Sequence, residues 1–268
     1  MQDYRSRFGF HSTPFTRELT VADRFALDDY DEALEAIVAA VQERMSAALI
    51  APAGTGKTTL LRAVLSRLPE ARYRTHYVKV TGLSRRDMCR EIALVLGVPP
   101  AGSFPSLVHK LQEHFVHSSD VDALRPVLIL DEAHDLRPET LSMMRILTNF
   151  DMDSRLVLSI VLAGQLPLRE LLRRDDLEDV ARRIAHYASL RTLSRDETVT
   201  YVEHRCTIAG STKLPFDRGA LDALFEIGRG NLRATDHLAR KSLEVAHSKD
   251  NDVCGSAHVA HARKQLWP

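Results

Sequence analysis

The sequence predicts an α/β fold in which helices cover both faces of a parallel sheet. Two apolar runs, VLILD at 127–131 and LVLSIVLAG at 156–164, are too short for helices and too apolar for edge strands, so they are predicted to be buried central strands. Segments with apolar residues at helical spacing lie between them and the other strand-like runs. Such alternation is typical of a parallel sheet with helices on both sides.

The same patterns give each element of the sheet domain in order. A helix leads into the first strand, and the helix after that strand stops before Pro69, because proline disfavours a helical residue in front of it. Five strands are predicted, at 47–51, 75–81, 127–131, 156–164 and 186–193. Helices are predicted at 29–46, 58–68, 84–96, 104–117, 138–149, 167–173 and 176–184.

The character of the sequence changes at Ser194. From there on, helical segments are separated by Gly, Pro and Asn, which predicts an all-helical lid. Ser194 and Glu197 form the pattern of a capping box that starts the first lid helix. We therefore expect an α/β domain over residues 1–191, beginning with an irregular segment at 1–27, and a lid over residues 192–268.

The composition is that of an ordinary globular protein. Lys plus Arg and Asp plus Glu both number 36, so any surface for nucleic acid must be a local patch. Cys89, Cys206 and Cys254 are far apart and suggest neither a zinc site nor a disulfide framework. No apolar run approaches the ~20 residues that span a bilayer, so we expect a cytoplasmic protein without a membrane partner.

The segment APAGTGKTT at 51–59 has the features of a phosphate-binding loop. Glycines let backbone N–H groups turn toward phosphate oxygens, the lysine reaches the outer phosphates, and the hydroxyl after it binds Mg²⁺. The strict pattern has Gly where this chain has Ala51, which ends the strand and can be another small residue. A chance glycine-rich turn is the alternative, and the strand–loop–helix context disfavours it. The predicted contacts to ATP are Gly54, Thr55, Gly56, Lys57, Thr58 and Thr59.

The strand at 127–131 ends in two acidic residues. Asp131, at the tip of a buried strand, is predicted to hold Mg²⁺ through water, opposite Thr58. Glu132 is predicted to be the general base that polarises the attacking water. The alternative is that Glu132 is a helix N-cap or a solvated acid. The phosphate-binding loop upstream disfavours this interpretation. His134 and Asp135 could simply open the following helix.

Gln165 follows the strand at 156–164, where a polar side chain can reach the γ-phosphate and the attacking water; an ordinary turn amide is the alternative. Arginines that stabilise charge on the transferring phosphoryl group can come from the same or a neighbouring subunit. Arg233, in the first turn of a lid helix, is a candidate for contact with ATP in its own subunit. Candidates for a neighbour's site are Arg182 and Arg183, with Arg173 and Arg174 as a second pair; such pairs are also common on solvated helix faces.

The segments APAGTGKTT, VLILDEAH, VLAGQLPLRELL, the RRI at 182–184 and GNLRATDHL together resemble the ExeA/GspA-like AAA+ ATPases, as do FGF at 8–10 and PF at 14–15 near the N-terminus. The resemblance implies a P-loop NTPase fold with a five-stranded parallel sheet and a C-terminal helical lid, ATP with Mg²⁺ as cofactor, and an oligomer as the working form. By that likeness Gln165 is sensor 1, Arg233 is sensor 2, and Arg182 or Arg183 is the arginine finger.

Secretion-type members of this family continue into a transmembrane segment and a cell-wall-binding domain, whereas this sequence ends at Pro268. It is therefore closer in form to the short transposition regulators of the TniB/TnsC, MuB and IstB kind, which assemble on DNA with ATP and present a target to a transposase. We expect a homo-oligomeric ring or filament with duplex DNA and a transposase as partners. An ExeA-like ATPase acting on a protein in envelope assembly is the alternative, and a NACHT- or Orc-like switch is a third.

The local basic cluster for DNA is predicted at Lys79, Arg85 and Arg86, on and after the second strand. A solvated helix start is the alternative interpretation of these three residues.

Overall fold

A computed structural model describes residues 3–267, which form two compact units. Of the described residues, the helical unit contains 3–26, 54–56 and 191–267, and the sheet unit contains 27–53 and 57–190. The C-terminal boundary lies one residue from the predicted one. The N-terminal segment, however, belongs with the C-terminal helices and not with the sheet, which differs from the predicted domain over 1–191.

The sheet unit is built on five parallel strands in the spatial order β2-β3-β4-β1-β5. This confirms the α/β fold class with a five-stranded parallel sheet. The strands are β1 Ser46–Ile50, β2 Tyr73–Lys79, β3 Arg125–Asp131, β4 Ser159–Gly164 and β5 Ile184–Ser189.

Helices pack on both faces of this sheet, as expected for parallel strands joined by crossover connections. They are α2 Asp28–Gln42, α3 Lys57–Arg67, α4 Arg85–Leu96, α5 Phe104–Asp120, α6 Pro138–Leu147, α7 Leu166–Leu172 and α8 Glu178–Ala181, with short 3₁₀ turns at Ala133–Asp135 and Asp175–Leu177. In the described part of the chain, every helix is too short or too polar to cross a membrane.

Burial along the strands explains why the apolar runs form the centre of the sheet. All six residues of β4, and every residue of β3 after Arg125, are buried. The edge strands β2 and β5 instead alternate between buried and accessible positions. A strand buried on both faces is mostly apolar, whereas an edge strand can keep polar residues. In β3 and β4 the buried polar residues, Asp131 and Ser159, lie at strand ends.

The helical unit contains α1 Tyr4–Arg7, α9 Arg195–Ile208, α10 Arg218–Gly228, α11 Leu232–Ser248 and α12 Ser256–Leu266. The predicted capping box is present at the start of α9. The Ser194 hydroxyl accepts from the Glu197 N–H at 3.2 Å, and the Glu197 carboxylate accepts from the Ser194 N–H at 2.7 Å. The Arg191 guanidinium and this backbone bond lower the pKa of Glu197 to about 2.

Aromatic residues explain why the N-terminal segment joins the helical unit. Phe8, Phe10 and Phe15 are at most 6% exposed and lie in one apolar cluster with residues of α9 to α12. Burying each of these rings contributes about 1.5–3 kcal/mol relative to leaving it in water. The phenylalanines of the sequence motifs FGF and PF therefore anchor the N-terminal segment to helices α9 to α12. The periodicity that predicts helices and strands does not reveal this role.

A buried polar network fastens the same segment to α9 and α11. Arg205 is 3% exposed, and its guanidinium donates to the Thr16 carbonyl at 2.6 Å and to the Tyr201 hydroxyl at 3.3 Å. Asp236 lies 3.5 Å from Arg205 and accepts from the Tyr201 hydroxyl at 2.8 Å. Burial raises the pKa of Asp236 to about 7, although the neighbouring Arg205 opposes that rise.

We expect Arg205→Met to lower the free energy of unfolding by about 3–5 kcal/mol at pH 8, because Asp236 is then a buried carboxylate without its cation. Since the pKa of Asp236 is raised, the carboxyl group favours the folded state when it is protonated, and that contribution is lost as the pH rises through about 7. The loss caused by Arg205→Met should therefore be smaller at pH 5.

Urea unfolding of the full chain at the two pH values measures this difference. The matched control is Arg195→Met on the same helix, because Arg195 pairs with Asp222 and Glu226 on an exposed surface and should matter little. Equal losses at pH 5 and pH 8 would contradict the role assigned to Asp236.

Candidate nucleotide site

The strands β1, β4 and β3 lie side by side, so their carboxyl ends meet at one edge of the sheet. β1 continues into the loop at 51–56 and then into α3, while β3 ends at Asp131 and β4 at Gly164. The Ala51 N–H donates to the Gly164 carbonyl at 3.0 Å, and Ala51 is fully buried. Ala51 thus extends the ladder by one residue. It has no positive φ angle, so its backbone does not require the glycine of the strict motif.

The loop has the backbone conformation that its glycines allow. Gly54 and Gly56 have φ angles of 76° and 96°, in the region that side-chain-bearing residues rarely adopt. α3 begins at Lys57, and the first turn of any helix presents backbone N–H groups without partners inside the helix. Thr55 is buried, and Thr58, which follows Lys57 in that first turn, is exposed. These are the elements of an anion-binding helix start.

Lys57 joins the loop to the acidic end of β3. Its ammonium group is buried and contacts the Asp131 carboxylate, and it lies 2.9 Å from Glu132 Oε1. Lys57 and Asp131 are 7% and 3% exposed, so this pairing takes place largely away from water. One ammonium facing two carboxylates leaves the group with one net negative charge, which favours a cation beside it.

Asp131 is held from three sides. Lys57 contacts one carboxylate oxygen, the Glu132 backbone N–H donates to the same oxygen at 2.8 Å, and the Tyr77 hydroxyl donates to the other at 2.9 Å. Burial and this hydrogen bond both raise the pKa of Tyr77, so the phenol stays a donor. Tyr77, on the neighbouring strand β2, was not singled out from the sequence.

Glu132 has a φ of 58°, a left-handed conformation that is uncommon for a glutamate. Its Oε1 faces Lys57, while its Oε2 is buried without a hydrogen-bond partner among the described residues. Strained backbone and an unsatisfied buried oxygen are both features that cluster at functional sites. Glu132 is therefore poised to accept a hydrogen bond.

Gln165 is the N-cap residue of α7, without a side-chain capping bond, and it contacts His134. The sequence pattern indicated only that His134 could open the following helix. Gln165 Nε2 lies 3.0 Å from His134 Nε2, and the Gln165 backbone N–H lies 3.4 Å from His134 Nδ1. His134 Nδ1 is also 3.5 Å from Glu132 Oε2. Asp135 is exposed, with one carboxylate oxygen 3.8 Å from His134 Nε2.

Arg182 and Arg183 lie just before β5, at the opposite edge of the sheet from Lys57. The register of β5 with β1 pairs Ile184 with Ser46, where β1 begins. Arg182 is exposed and donates to Glu178 at 2.6 Å, whereas Arg183 donates to both oxygens of Asp153 at 2.7 Å and lowers the pKa of that carboxyl group. Neither arginine is placed to act on the nucleotide of its own sheet unit.

The other predicted arginines occupy different surroundings. Arg173 lies 3.4 Å from Glu170, and Arg174 lies 2.9 Å from Asp176, so this second pair forms local ion pairs. Arg233 lies in the first turn of α11, whose N-cap Asn231 accepts from the Ala234 N–H at 3.1 Å.

The residues predicted to contact DNA lie at the end of β2 and the start of α4. Lys79 is the last residue of β2 and pairs in register with Asp131. Arg85 stacks 5.5 Å from the centre of the Phe104 ring, and Arg86 donates to the Gly102 carbonyl at 3.0 Å. Within residues 3–267 none of these three side chains forms an ion pair with a carboxylate.

The donor set fits a metal held together with a nucleotide rather than by protein alone. Among the described residues, no group of three or more His, Cys, Asp or Glu side chains is arranged to hold a metal ion. Mg²⁺ would be held by the Thr58 hydroxyl, through water by Asp131, and by phosphate oxygens. The net negative charge around Lys57 and the free Glu132 oxygen agree with that arrangement.

Comparisons with known proteins agree with this geometry. Residues 40–172 match the family model described as an AAA domain. Cdc6p from Pyrobaculum aerophilum superposes with a TM-score of 0.75 at 19% identity, covering 94% of this chain and 70% of that one. The chain has the fold of an AAA+ P-loop NTPase.

Other AAA+ structures and one sequence relative are also similar. The Aeropyrum pernix ORC1 protein in complex with DNA superposes with a TM-score of 0.69 at 19% identity, covering 96% of this chain and 70% of that one. The Thermotoga maritima Holliday junction branch migration motor RuvB gives 0.63 at 17% identity, covering 94% and 73%. General secretion pathway protein A of Aeromonas hydrophila is 28% identical over 96% of this chain, which spans 46% of that protein's length.

We expect the arginines before β5 to act on a neighbouring copy of the chain, since they lie at the edge of the sheet away from Lys57. Lys57→Ala and Arg182→Ala/Arg183→Ala should each be inactive alone, and mixing them should restore ATP hydrolysis, because a mixed interface pairs an intact loop with an intact arginine. Phosphate release measured across mixing ratios tests this.

The control is a mixture of Lys57→Ala with Arg173→Ala/Arg174→Ala. The Arg173→Ala/Arg174→Ala protein should remain active on its own. If oligomers form and the mixture of Lys57→Ala with Arg182→Ala/Arg183→Ala stays inactive at every ratio, the arginine finger lies elsewhere.

Proposed function

We propose that the chain binds Mg·ATP at the 51–59 loop and hydrolyses it. The observation that carries this proposal is the buried group of Lys57, Asp131 and Glu132 at the carboxyl edge of the sheet. On binding, Lys57 would exchange its carboxylate contacts for the β- and γ-phosphate oxygens, and the glycine loop would donate N–H groups to the phosphates. Thr58 and Asp131 would hold the metal, which neutralises charge on the phosphates when it is bound.

Glu132 would act as the base. Its Oε2 is buried and free of hydrogen bonds among the described residues, so it can accept a proton from an attacking water. Gln165, at the end of the strand between β1 and β3, would orient that water and contact the γ-phosphate. Arg182 or Arg183 of a neighbouring subunit, and Arg233 of the helical unit, would add positive charge as the phosphoryl group transfers.

We expect Lys57→Ala to abolish ATP binding, because it removes the cation nearest the outer phosphates, and Glu132→Gln to keep binding while hydrolysis falls by about 10²- to 10⁴-fold. Equilibrium binding of a fluorescent ATP analogue and phosphate release measure the two effects. Glu139→Gln, an exposed acid a few residues further on, is the matched control and should behave as wild type. A Glu132→Gln protein that loses ATP as completely as Lys57→Ala would show that Glu132 is not the base.

For the work coupled to hydrolysis, we infer ATP-dependent binding of duplex DNA by an oligomer, in target selection for transposition. The support is local: among the described residues Lys79, Arg85 and Arg86 form no ion pair with a carboxylate, although Arg86 helps to lower the pKa of Asp87, and the three can therefore offer positive charge to phosphates. A few such charges bind weakly in one subunit. Repeated along a ring or filament, they would sum to a cooperative, salt-sensitive interaction. A transposase would then be the partner that reads the assembled state.

The second candidate is an ATPase that acts on a protein partner in envelope assembly. The observation that favours it is the 28% identity to General secretion pathway protein A over 96% of this chain. The two functions share the nucleotide site and differ in what the ATP-bound oligomer holds.

Duplex binding separates these candidates. We expect Glu132→Gln with saturating ATP to bind a labelled random duplex cooperatively, with affinity that falls steeply as salt rises. Arg85→Ala/Arg86→Ala should weaken binding and make the salt dependence shallower. Fluorescence anisotropy with and without ATP, at several salt concentrations, measures both.

The matched control is Arg173→Ala/Arg174→Ala, because those arginines are adjacent like Arg85 and Arg86 but are neutralised by Glu170 and Asp176. This control should bind DNA as the parent protein does. No binding to duplex by Glu132→Gln with ATP at low salt would leave the protein-directed function as the better proposal.

A further inference from the structure

His134 lies between the two polar groups that the proposed reaction needs to coordinate. Its Nε2 is 3.0 Å from Gln165 Nε2, and its Nδ1 is 3.4 Å from the Gln165 backbone nitrogen and 3.5 Å from Glu132 Oε2. The side chain is 14% exposed. One imidazole ring therefore contacts both the residue at the end of β4 and the residue after β3.

The backbone is built to bring this ring into place. The 3₁₀ turn Ala133–Asp135 packs against the end of β4 and against α7. A Cβ added at Gly164 would lie 3.0 Å from the His134 backbone nitrogen and 3.0 Å from Leu168 Cδ2. Such contacts are tighter than side chains normally make, so a glycine at the end of β4 permits the close approach of the turn.

A neutral imidazole carries one N–H, and this restricts how the ring can serve its neighbours. When Nε2 holds the proton, it donates to the Gln165 side-chain oxygen, and Nδ1 accepts from the Gln165 backbone N–H. Glu132 Oε2 then receives no hydrogen bond from the ring, and the Gln165 amide is turned over from its orientation in the structure, where its Nε2 faces the ring. When Nδ1 holds the proton, it can donate to Glu132 Oε2 and no longer accepts from the Gln165 backbone N–H, while Nε2 accepts from the Gln165 NH₂ group.

The two arrangements differ in which end of the Gln165 amide points away from the ring. With the proton on Nε2, the Gln165 NH₂ group is directed outward and can donate to a phosphate oxygen. With the proton on Nδ1, the NH₂ group is used by the ring, and Glu132 is held by a hydrogen bond. The ring keeps one proton in both cases, so no charge is created or lost.

We propose that His134 is a positioning residue that couples the orientation of the Gln165 amide to the freedom of Glu132. A phosphate oxygen that draws the Gln165 NH₂ group outward turns the amide oxygen toward the ring. Nδ1 then releases its proton to water while Nε2 takes one from water, and Glu132 Oε2 is left free to accept from the attacking water. With the NH₂ group turned to the ring, Nδ1–H can donate to Glu132 Oε2, which lies 3.5 Å away. This inference rests on the proposed role of Glu132 as the base.

The test is a double-mutant cycle in ATP hydrolysis with full-length His134→Ala, Gln165→Ala and the double variant. We expect His134→Ala to lower kcat about tenfold to a hundredfold, because the Gln165 amide loses its orientation, while the affinity for ATP stays the same. In the His134→Ala background, Gln165→Ala should lower kcat by less than threefold. Residues that act as one unit give non-additive losses of this kind.

Two conservative variants test which contact matters. His134→Gln can place an amide near the position of Nε2 and should recover part of kcat, since it can still contact Gln165. His134→Asn reaches only the position of Nδ1 and should stay close to His134→Ala. His76→Ala is the control, because this half-buried histidine on β2 contacts His114 and neither Gln165 nor Glu132.

Thermal unfolding of each variant separates positioning from support of the fold, since the non-additivity should appear in kcat and not in Tm. Independent, multiplicative losses in kcat, or an unchanged kcat with weaker ATP binding, would overturn the role of His134. If Glu132→Gln hydrolysed ATP at the wild-type rate, the proposed base would fail instead. The two failures are therefore distinguishable.

Discussion

The site depends on one buried interaction, the Lys57 ammonium against the carboxylates of Asp131 and Glu132. Moving such ions out of water costs several kcal/mol each, and only close pairing offsets that cost. The loop, the start of α3 and the end of β3 must therefore hold their positions accurately. Since β4 lies between β1 and β3, Lys57 reaches Asp131 across the end of a third strand.

That crossing explains the small residues at this edge. Ala51 is fully buried beside Gly164, and Gly164 in turn leaves room for the turn that carries His134. A larger side chain at Gly164 would press on the backbone of His134 and on Leu168 of α7. The left-handed backbone conformation of Glu132 also serves the pairing with Lys57. It turns the chain directly after Asp131 while the Glu132 side chain stays beside Lys57.

The sequence predicted the parts of the fold that follow from local pattern. Apolar runs predicted β3 and β4, and Ser194 with Glu197 predicted the start of α9. The N-terminal phenylalanines were missed because their partners are distant in sequence, and burial among lid helices has no local signature. His134 was missed for a related reason: its importance comes from Gln165, thirty-one residues further on, and only the strand order brings them together.

Charge pairing shows why the arginines could not be ranked from sequence alone. Arg85 and Arg86, like Arg173 and Arg174, are adjacent in the chain, yet among the described residues only the second pair forms ion pairs with carboxylates. The net charge of zero therefore does not distinguish two kinds of arginine. The first kind forms ion pairs within the chain, and the second kind does not and can attract an external anion. Arg182 and Arg183 are of the first kind, so contact with a neighbour's phosphates requires them to leave Glu178 and Asp153. Glu178 accepts one hydrogen bond from Arg182 on an exposed helix face, whereas both oxygens of Asp153 accept from Arg183. Fewer hydrogen bonds therefore have to break for Arg182 than for Arg183 to contact a phosphate.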